Sequence, residues 1–277
     1  MTAVAPPVWA GRTIAVMGIV NVTPDSFSDG GRYAAADAAV EHGLALWREG
    51  ADILDVGGEA TNPRATPVTA DEEFRRVLAV VERLAAAGAT VSIDTTKARV
   101  ARAAVNAGAT IVNDVSGGLF DPEMAGAIGD ATYIAGHLRG RSIAEVFSVE
   151  ARPSGAALDW RIVADELAER LAALPAAARE RAWVDPGLGF GKGADPEVNL
   201  TLIRHCGDLG ARLDRPVVIG ASRKRFVRRA FRVQDDDITA LDRASVAATL
   251  DAIAAGANVV RVHNVALLRA GLALYTQ

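Results

Sequence analysis

At 277 residues, half of them hydrophobic, the chain is long enough to bury a large core, and length allows one big α/β domain or two small ones. A net charge of -4 argues against a general nucleic-acid or anionic-membrane surface, so anion binding has to come from a local cluster of cations. No stretch approaches about 18 uninterrupted apolar residues, so no membrane span is expected.

No Pro/Gly/Ser-rich linker, low-complexity tract or like-charge run marks a boundary, so one domain over 1–277 is expected, with 1–12 a short N-terminal extension. Met1 to Trp9 is proline-broken and carries no charged side chain, unlike a secretory signal, and a cytoplasmic location follows as the expectation. The single cysteine, Cys206, excludes an internal disulfide and a thiolate zinc site and reads as a small buried hydrophobe.

In chain order, Ile14 to Val20 is the first strand and leads to Asn21. A theme then recurs four times: a helical pattern closes on Gly-Ala and a short β-branched strand runs to a polar residue. The four are Gly50-Ala51 to Asp55, Gly88-Ala89 to Asp94, Gly108-Ala109 to Asn113, and Gly256-Ala257 to Arg261. Glycine suits the left-handed position that ends a helix. Among the helices, Thr69 and Glu72 form a capping box ahead of Phe74, Val77, Leu78, Val81 and Leu84. Asp121-Pro122 reads as N-cap and first position of another. Val163, Leu167, Leu171 and Leu174 stripe a third, and Val246, Thr249, Leu250 and Ile253 a fourth.

Three more strands lead to His137, Asp185 and Ser222, giving eight in all. Strands alternating with helices predict an α/β protein built as one (β/α)8 TIM barrel, with polar strand ends converging on its C-terminal rim. An open doubly wound sheet has the same alternation, but no Gly-x-Gly-x-x-Gly turn follows the first strand. The connections 21–31, 59–68 and roughly 138–158 exceed the usual two to six or so residues of a βα loop, which makes them candidate lids.

The run Pro216 to Phe226 shows how such a strand end carries chemistry. It delivers Ser222, Arg223 and Lys224 to one point: a hydroxyl, a planar fork and a mobile ammonium, suited to an anionic or carbonyl-bearing ligand. Taken singly, other residues have plain alternatives. Asp94 and Asp185 could be helix caps, His263 a satisfied core histidine and Asn21 a turn residue. His42 and His205 lie in helical stretches away from any motif. Gly187, Gly189, Gly191 and Gly193 look like a phosphate loop, but no Lys-Ser/Thr pair opens a helix after them.

Taken together, the strand ends carry a family likeness. Asn-Val-Thr-Pro-Asp-Ser-Phe-Ser-Asp-Gly-Gly (21–31), Asp-Val-Gly-Gly-Glu (55–59), Ser-Ile-Asp-Thr (92–95), Asn-Asp-Val-Ser-Gly-Gly (113–118), Asp-Pro-Gly-Leu-Gly-Phe-Gly-Lys (185–192), Gly-Ala-Ser-Arg-Lys (220–224) and Arg-Val-His (261–263) closely resemble the dihydropteroate synthase family, in order and over nearly the whole chain. The resemblance implies a transferase of folate biosynthesis. It would condense 6-hydroxymethyl-7,8-dihydropterin diphosphate with p-aminobenzoate by dissociative substitution, with Mg²⁺ assisting and a homodimer as the assembly. A pterin edge has adjacent N–H donors and a ring acceptor, which an aspartate and an asparagine can meet.

By resemblance the pterin is held by Asp94, Asn113, Asp185, Gly220 and Lys224. The diphosphate falls to Asn21, Arg261 and His263, with the Asn21 side-chain oxygen on Mg²⁺. The p-aminobenzoate pocket, which sulfonamides imitate their way into, is Thr61, Pro63, Phe190, Ser222 and Lys224. Asp94, Lys224 and Arg261 serve the chemistry, and Phe27 and Asp29 bring the first loop over the intermediate.

Two positions depart from the family pattern. Asn62 stands where the family usually has an arginine, and an amide cannot supply that charge. Arg64, two positions on, is the expected substitute; unchanged turnover and unchanged p-aminobenzoate affinity in Arg64→Ala would overturn this. Gly136 replaces a usual methionine, which implies a shallower pterin wall. Two other functions share the barrel and the pterin-binding residues: a pterin-dependent corrinoid methyltransferase and a non-catalytic pterin-binding paralogue. The first has no leaving diphosphate and so no need of Ser-Arg-Lys with Arg-Val-His.

Overall fold

The structure, a computed structural model, describes residues 8–9, 12–22, 31–61, 66–150, 159–192 and 195–274. Eight parallel strands form its centre: β1 (Ala15–Asn21), β2 (Ile53–Gly57), β3 (Val91–Asp94), β4 (Ile111–Asp114), β5 (Thr132–Gly136), β6 (Trp183–Asp185), β7 (Val218–Ile219) and β8 (Val259–Val262). Their order in the sheet is β6-β5-β4-β3-β2-β1-β8-β7. The ring closes through a parallel bridge between Val184 and Val217, with Val184 N donating to Pro216 O at 3.0 Å. A two-stranded antiparallel hairpin, Val8–Trp9 with Arg12–Thr13, precedes the barrel.

Strand periodicity divides the core in two. Ala15, Met17, Ile53, Ile111, Ile134, Trp183, Val218 and Val259 form an inner apolar cluster. The residues between them, such as Val16, Leu54, Val112, Val184 and Val260, join the larger core under the helices. Continuing the same alternation two residues further along each strand brings Asp55, Asn113, Asp185, Gly220 and Arg261 to the inside at the C-terminal end. The apolar floor and the polar rim are thus one pattern read at two heights.

The four Gly-Ala joints behave as expected: Gly50, Gly88, Gly108 and Gly256 have φ of 101°, 92°, 110° and 113°. Thr69 Oγ1 accepts from Glu72 N at 3.2 Å and starts helix Ala70–Ala86. That helix buries Val77, Val80, Val81 and Leu84, together with a carboxylate, Glu73. Cys206 is buried and bonded to Ala252 O at 3.4 Å, and burial pushes its thiol up to about 11, so it is inert packing.

Three local expectations are refined. Asp121 does not begin a long helix: only Met124–Ala127 follows. Its Oδ1 accepts locally from Glu123 N at 3.0 Å, while Oδ2 accepts from Ala98 N at 2.8 Å and caps helix Ala98–Asn106, whose adjacent Lys97 offers no side-chain cap. The third long connection contains helix Ile143–Glu150. Ser142 Oγ accepts from Glu145 N at 3.2 Å and Glu145 Oε2 from Arg141 N at 2.8 Å, a variant of the capping box. At Gly136 an added Cβ would lie 2.5 Å from Val115 Cα. The close path of the turn after β4 therefore requires glycine where the family usually carries methionine. Among the described residues no helix is long and apolar enough to cross a membrane.

Candidate active site

A cavity of about 400 Å³ opens at the C-terminal ends of the strands. Its lining includes Asn21, Thr61, Asp94, Asn113, Asp185, Phe190, Gly220, Ser222, Lys224, Arg261 and His263, so the described residues singled out in the sequence share one space. Phe27, Asp29 and Pro63, with Asn62 and Arg64, lie outside the described residues.

The centre of the site is an arginine between two carboxylates. Arg261 Nη2 donates to Asp94 Oδ2 at 2.5 Å, and its Nε donates to Asp55 Oδ2. The same Asp55 oxygen accepts from Asn113 Nδ2 at 3.0 Å. Asp55 is fully buried, and its other oxygen has no partner among the described residues. Burial pushes the Asp94 carboxyl up to about 7 against the pull of Arg261. Burial also disfavours the Arg261 charge, but Asp55 and Asp94 outweigh it and hold the guanidinium above its ordinary value. Arg261 therefore stays cationic while sharing its hydrogen bonds, as a fixed planar fork allows.

The ends of β7 and β8 are joined. Ser222 Oγ accepts from the His263 backbone N–H at 3.2 Å and lies 2.9 Å from His263 Nδ1. The hydroxyl keeps its own proton free to give to Nδ1, and a ring that accepts it there carries its N–H on Nε2. Burial, then the nearby Arg223 and Arg261, push this imidazole down to about 3, so the neutral form prevails.

Lys224 bridges to the loop after β6. Its Nζ donates to Leu188 O and sits 4.6 Å from the centre of the Phe190 ring. Burial pushes its ammonium down to about 8, with Asp185 opposing. The glycines of that loop answer to packing. Gly187 has φ 68°, and an added Cβ would fall 1.7 Å from His137 O. Gly187 N donates to Asp185 Oδ1 at 2.8 Å, turning the loop back on its aspartate. Lys192, also buried, reaches His137 Nδ1 at 2.8 Å, His137 O at 3.2 Å and Phe190 O at 3.0 Å. Three acceptors match three ammonium protons, so the geometry favours the charged form although burial pulls this amine well below its usual value.

At the second loop, Glu59 Oε1 accepts from Val68 N at 2.8 Å and closes the loop's base. Lys97 Nζ lies 2.5 Å from both Glu59 Oε2 and the buried Glu73 Oε2, which accounts for the carboxylate under helix Ala70–Ala86.

Sequence reasoning passed over Asp55, Lys192 and Asp242, the last an acid that pairs with Arg223. Asp55 was within reach, since it opens the Asp-Val-Gly-Gly-Glu motif and has inward parity on β2. Lys192 closes a quoted motif, but nothing local marks His137 as its partner. Asp242 lies in a helix and in no motif.

For magnesium, the fit rests on Asn21, an exposed amide at the cavity edge. Among the described residues no three His, Cys, Asp or Glu side chains are grouped to hold a metal ion. One neutral oxygen suits an ion that arrives on phosphate oxygens and keeps its waters.

A closed parallel barrel whose strand ends bring ionic and amide groups to one cavity defines a (β/α)8 enzyme. The model of the family described as "Pterin binding enzyme" matches residues 17–263. The dihydropteroate synthase of Mycobacterium leprae is 44% identical over 262 residues, covering 91% of this chain and 89% of that protein. Among solved structures, a Xanthomonas albilineans dihydropteroate synthase with 4-aminobenzoic acid superposes with a TM-score of 0.83 at 39% identity, covering 99% of this chain and 98% of that one. The same organism's enzyme in complex with 7,8-dihydropteroate gives 0.79 at 38% identity, covering 100% and 94%. The chain belongs to the dihydropteroate synthase family of pterin-binding enzymes, a family of transferases.

Proposed function

We propose that this chain joins 6-hydroxymethyl-7,8-dihydropterin diphosphate to p-aminobenzoate, releasing pyrophosphate and 7,8-dihydropteroate. The observation that carries the reading is Arg261 held between Asp55 and Asp94 beside Asn113. Such a cluster offers acceptors to a ligand's N–H edge and a cation to its phosphates. Asn113 and Asp185 would take the pterin edge, with Gly220 leaving room for the ring and Lys224 at its side. Arg261, His263 Nε2–H and Asn21 would take the diphosphate, and Thr61, Pro63, Phe190, Ser222 and Lys224 the aminobenzoate.

The C–O bond to diphosphate breaks first, its electron pair leaving with the pyrophosphate that Arg261 and His263 help neutralise. Asp94 stabilises the cation left on the pterin. The neutral amine of p-aminobenzoate then forms the C–N bond and its proton passes to the released pyrophosphate, so no strong base is needed. Phe27 and Asp29 would cover the cation and exclude water. The Asn21 side-chain oxygen, together with the substrate, would hold a magnesium ion, which when bound would supply charge neutralisation to the leaving group.

The test is pyrophosphate release. It should require the pterin diphosphate, p-aminobenzoate and Mg²⁺ together, and no release with all three present sinks the proposal in favour of a non-catalytic pterin binder. A corrinoid methyltransferase is not favoured, because the relatives that match most of the chain are synthases.

The pH dependence should be bell-shaped. Asp94 must be ionised to stabilise the cation, so kcat/KM falls as pH drops through about 7. Lys224 must be protonated, so it falls again as pH rises through about 8. In Lys224→Arg the alkaline limb should move out of range, since guanidinium does not titrate there. A flat profile from roughly pH 6 to pH 9 counts against both roles.

To the same reading belong a homodimer, on family likeness, and a cytoplasmic location, on composition. The eight-stranded sheet, which runs from Ala15 to Val262, supports the reading of a single domain over 1–277 with 1–12 as a short N-terminal extension.

A further inference from the structure

The turn that presents Ser222 and Lys224 is held in an unusual conformation by a residue outside the cavity. Lys224 N donates to Ala221 O at 3.2 Å, closing a four-residue turn whose third position is Arg223 with φ 58°. Glycine is the ordinary occupant of such a position, and a side chain there has to be held by its surroundings. Three bonds from helix Ile238–Ala254 do so. Arg223 Nε and Nη2 donate to Asp242 Oδ1 and Oδ2 at 2.7 and 3.0 Å, a two-point pair. Arg223 N donates to Ser245 Oγ at 2.9 Å, and that hydroxyl is aimed by its own bond to Leu241 O at 2.6 Å. Asp242 Oδ2 also accepts from Asn264 Nδ2 at 3.3 Å, next to His263. One turn of helix thus grips the residues after β7 and after β8, while Ser222 and His263 bond to each other in front of it.

We propose that Asp242 is a positioning residue for catalysis. Through Arg223 and Asn264 it fixes the two rim turns so that Ser222 and Lys224 diverge onto the aminobenzoate and pterin sides and His263 keeps its tautomer. The inference rests on the proposed roles of Ser222 and Lys224. It makes Arg223 part of the support, although the residue also lines the cavity.

Steady-state kinetics on the full chain separate these roles. Asp242→Asn keeps the shape but weakens the pair, and kcat/KM should fall about tenfold to a hundredfold, carried by KM for both substrates, with the melting temperature nearly unchanged. Arg223→Ala should fall at least as far. Arg223→Gly, which adopts the turn without help, should regain about tenfold over alanine. In that background Asp242→Asn should cost less than it does alone, because the group it acts through is gone.

Wild-type kinetics in Asp242→Asn overturn the proposal. So does an Arg223→Gly no better than Arg223→Ala, which makes the guanidinium itself a substrate ligand. A loss confined to melting temperature also overturns it, by reducing Asp242 to a fold contact. Should Asp242→Asn not fold, the comparison of glycine with alanine at 223 decides alone. Ser222→Ala and Lys224→Ala run alongside: unchanged KM for both substrates in both variants removes the site assignment itself, a result distinct from any failure at Asp242.

Discussion

Replacing Arg261 with alanine is expected to lower kcat by about 10²–10³-fold and to destabilise the folded chain by roughly 3–5 kcal/mol. Both losses come from one geometry. The guanidinium faces the leaving diphosphate in the proposed reaction, and it is also the cation shared by Asp55 and Asp94. Without it, a fully buried Asp55 keeps, among the described residues, only the amide of Asn113. Denaturant unfolding of variant and wild type reads the stability term. Its pH dependence carries a sign: burial raises the Asp94 carboxyl and Arg261 holds it back, so without Arg261 it binds a proton still more readily folded than unfolded. The stability gap should therefore narrow as pH falls and widen as it rises. Arg261→Lys should recover part of the stability and less of the turnover, since one ammonium cannot span both carboxylates as a fork does. An alanine variant as stable as wild type would show that the three groups are not coupled.

Lys224→Ala is expected to weaken both substrates together, lowering kcat/KM by about 10²-fold. Lys224 stands where the two proposed subsites meet. Its Nζ bonds Leu188 O in the loop that begins with Asp185 and lies over the Phe190 ring, an arrangement worth about 0.5–2 kcal/mol to the ring's placement. Removing it strips a cation from the pterin side and unpins an aromatic wall on the aminobenzoate side. Initial rates with each substrate varied in turn read the two effects separately. A rise in KM for one substrate alone would contradict the shared position.

Most of the site was legible because a parallel barrel imposes a simple geometry. Asn113, Asp185 and Arg261 each lie two residues beyond an apolar side chain of the inner cluster, Ile111, Trp183 and Val259. Parity along the strand therefore assigns them to the inside, and polarity at the strand end to the rim. The helical stripes at Val163, Leu167 and Leu171 were legible for the same reason, a period that matches burial. Capping was less secure. Asp121 has the residues of a local N-cap, yet its free oxygen finds Ala98 N in a different helix. Ser142 and Glu145 carried a valid capping signal inside a stretch that read as loop.

By itself, then, the chain's order of apolar and polar residues determined a (β/α)8 barrel and its polar rim, and the motifs that resemble the family supplied most of the residues facing the described cavity. Period and motif are local properties, and they say which side of a strand a group occupies. Only the tertiary structure decided which groups meet. Arg261 and Asp55 are 206 positions apart, Lys192 and His137 are 55, and Arg223 and Asp242 are 19. Closure of the ring and the seating of helices behind it set those distances. The physical reason is burial: an ionic group carried into the interior by strand parity is tolerable only beside a partner, and the partner is whatever the fold brings within hydrogen-bond reach.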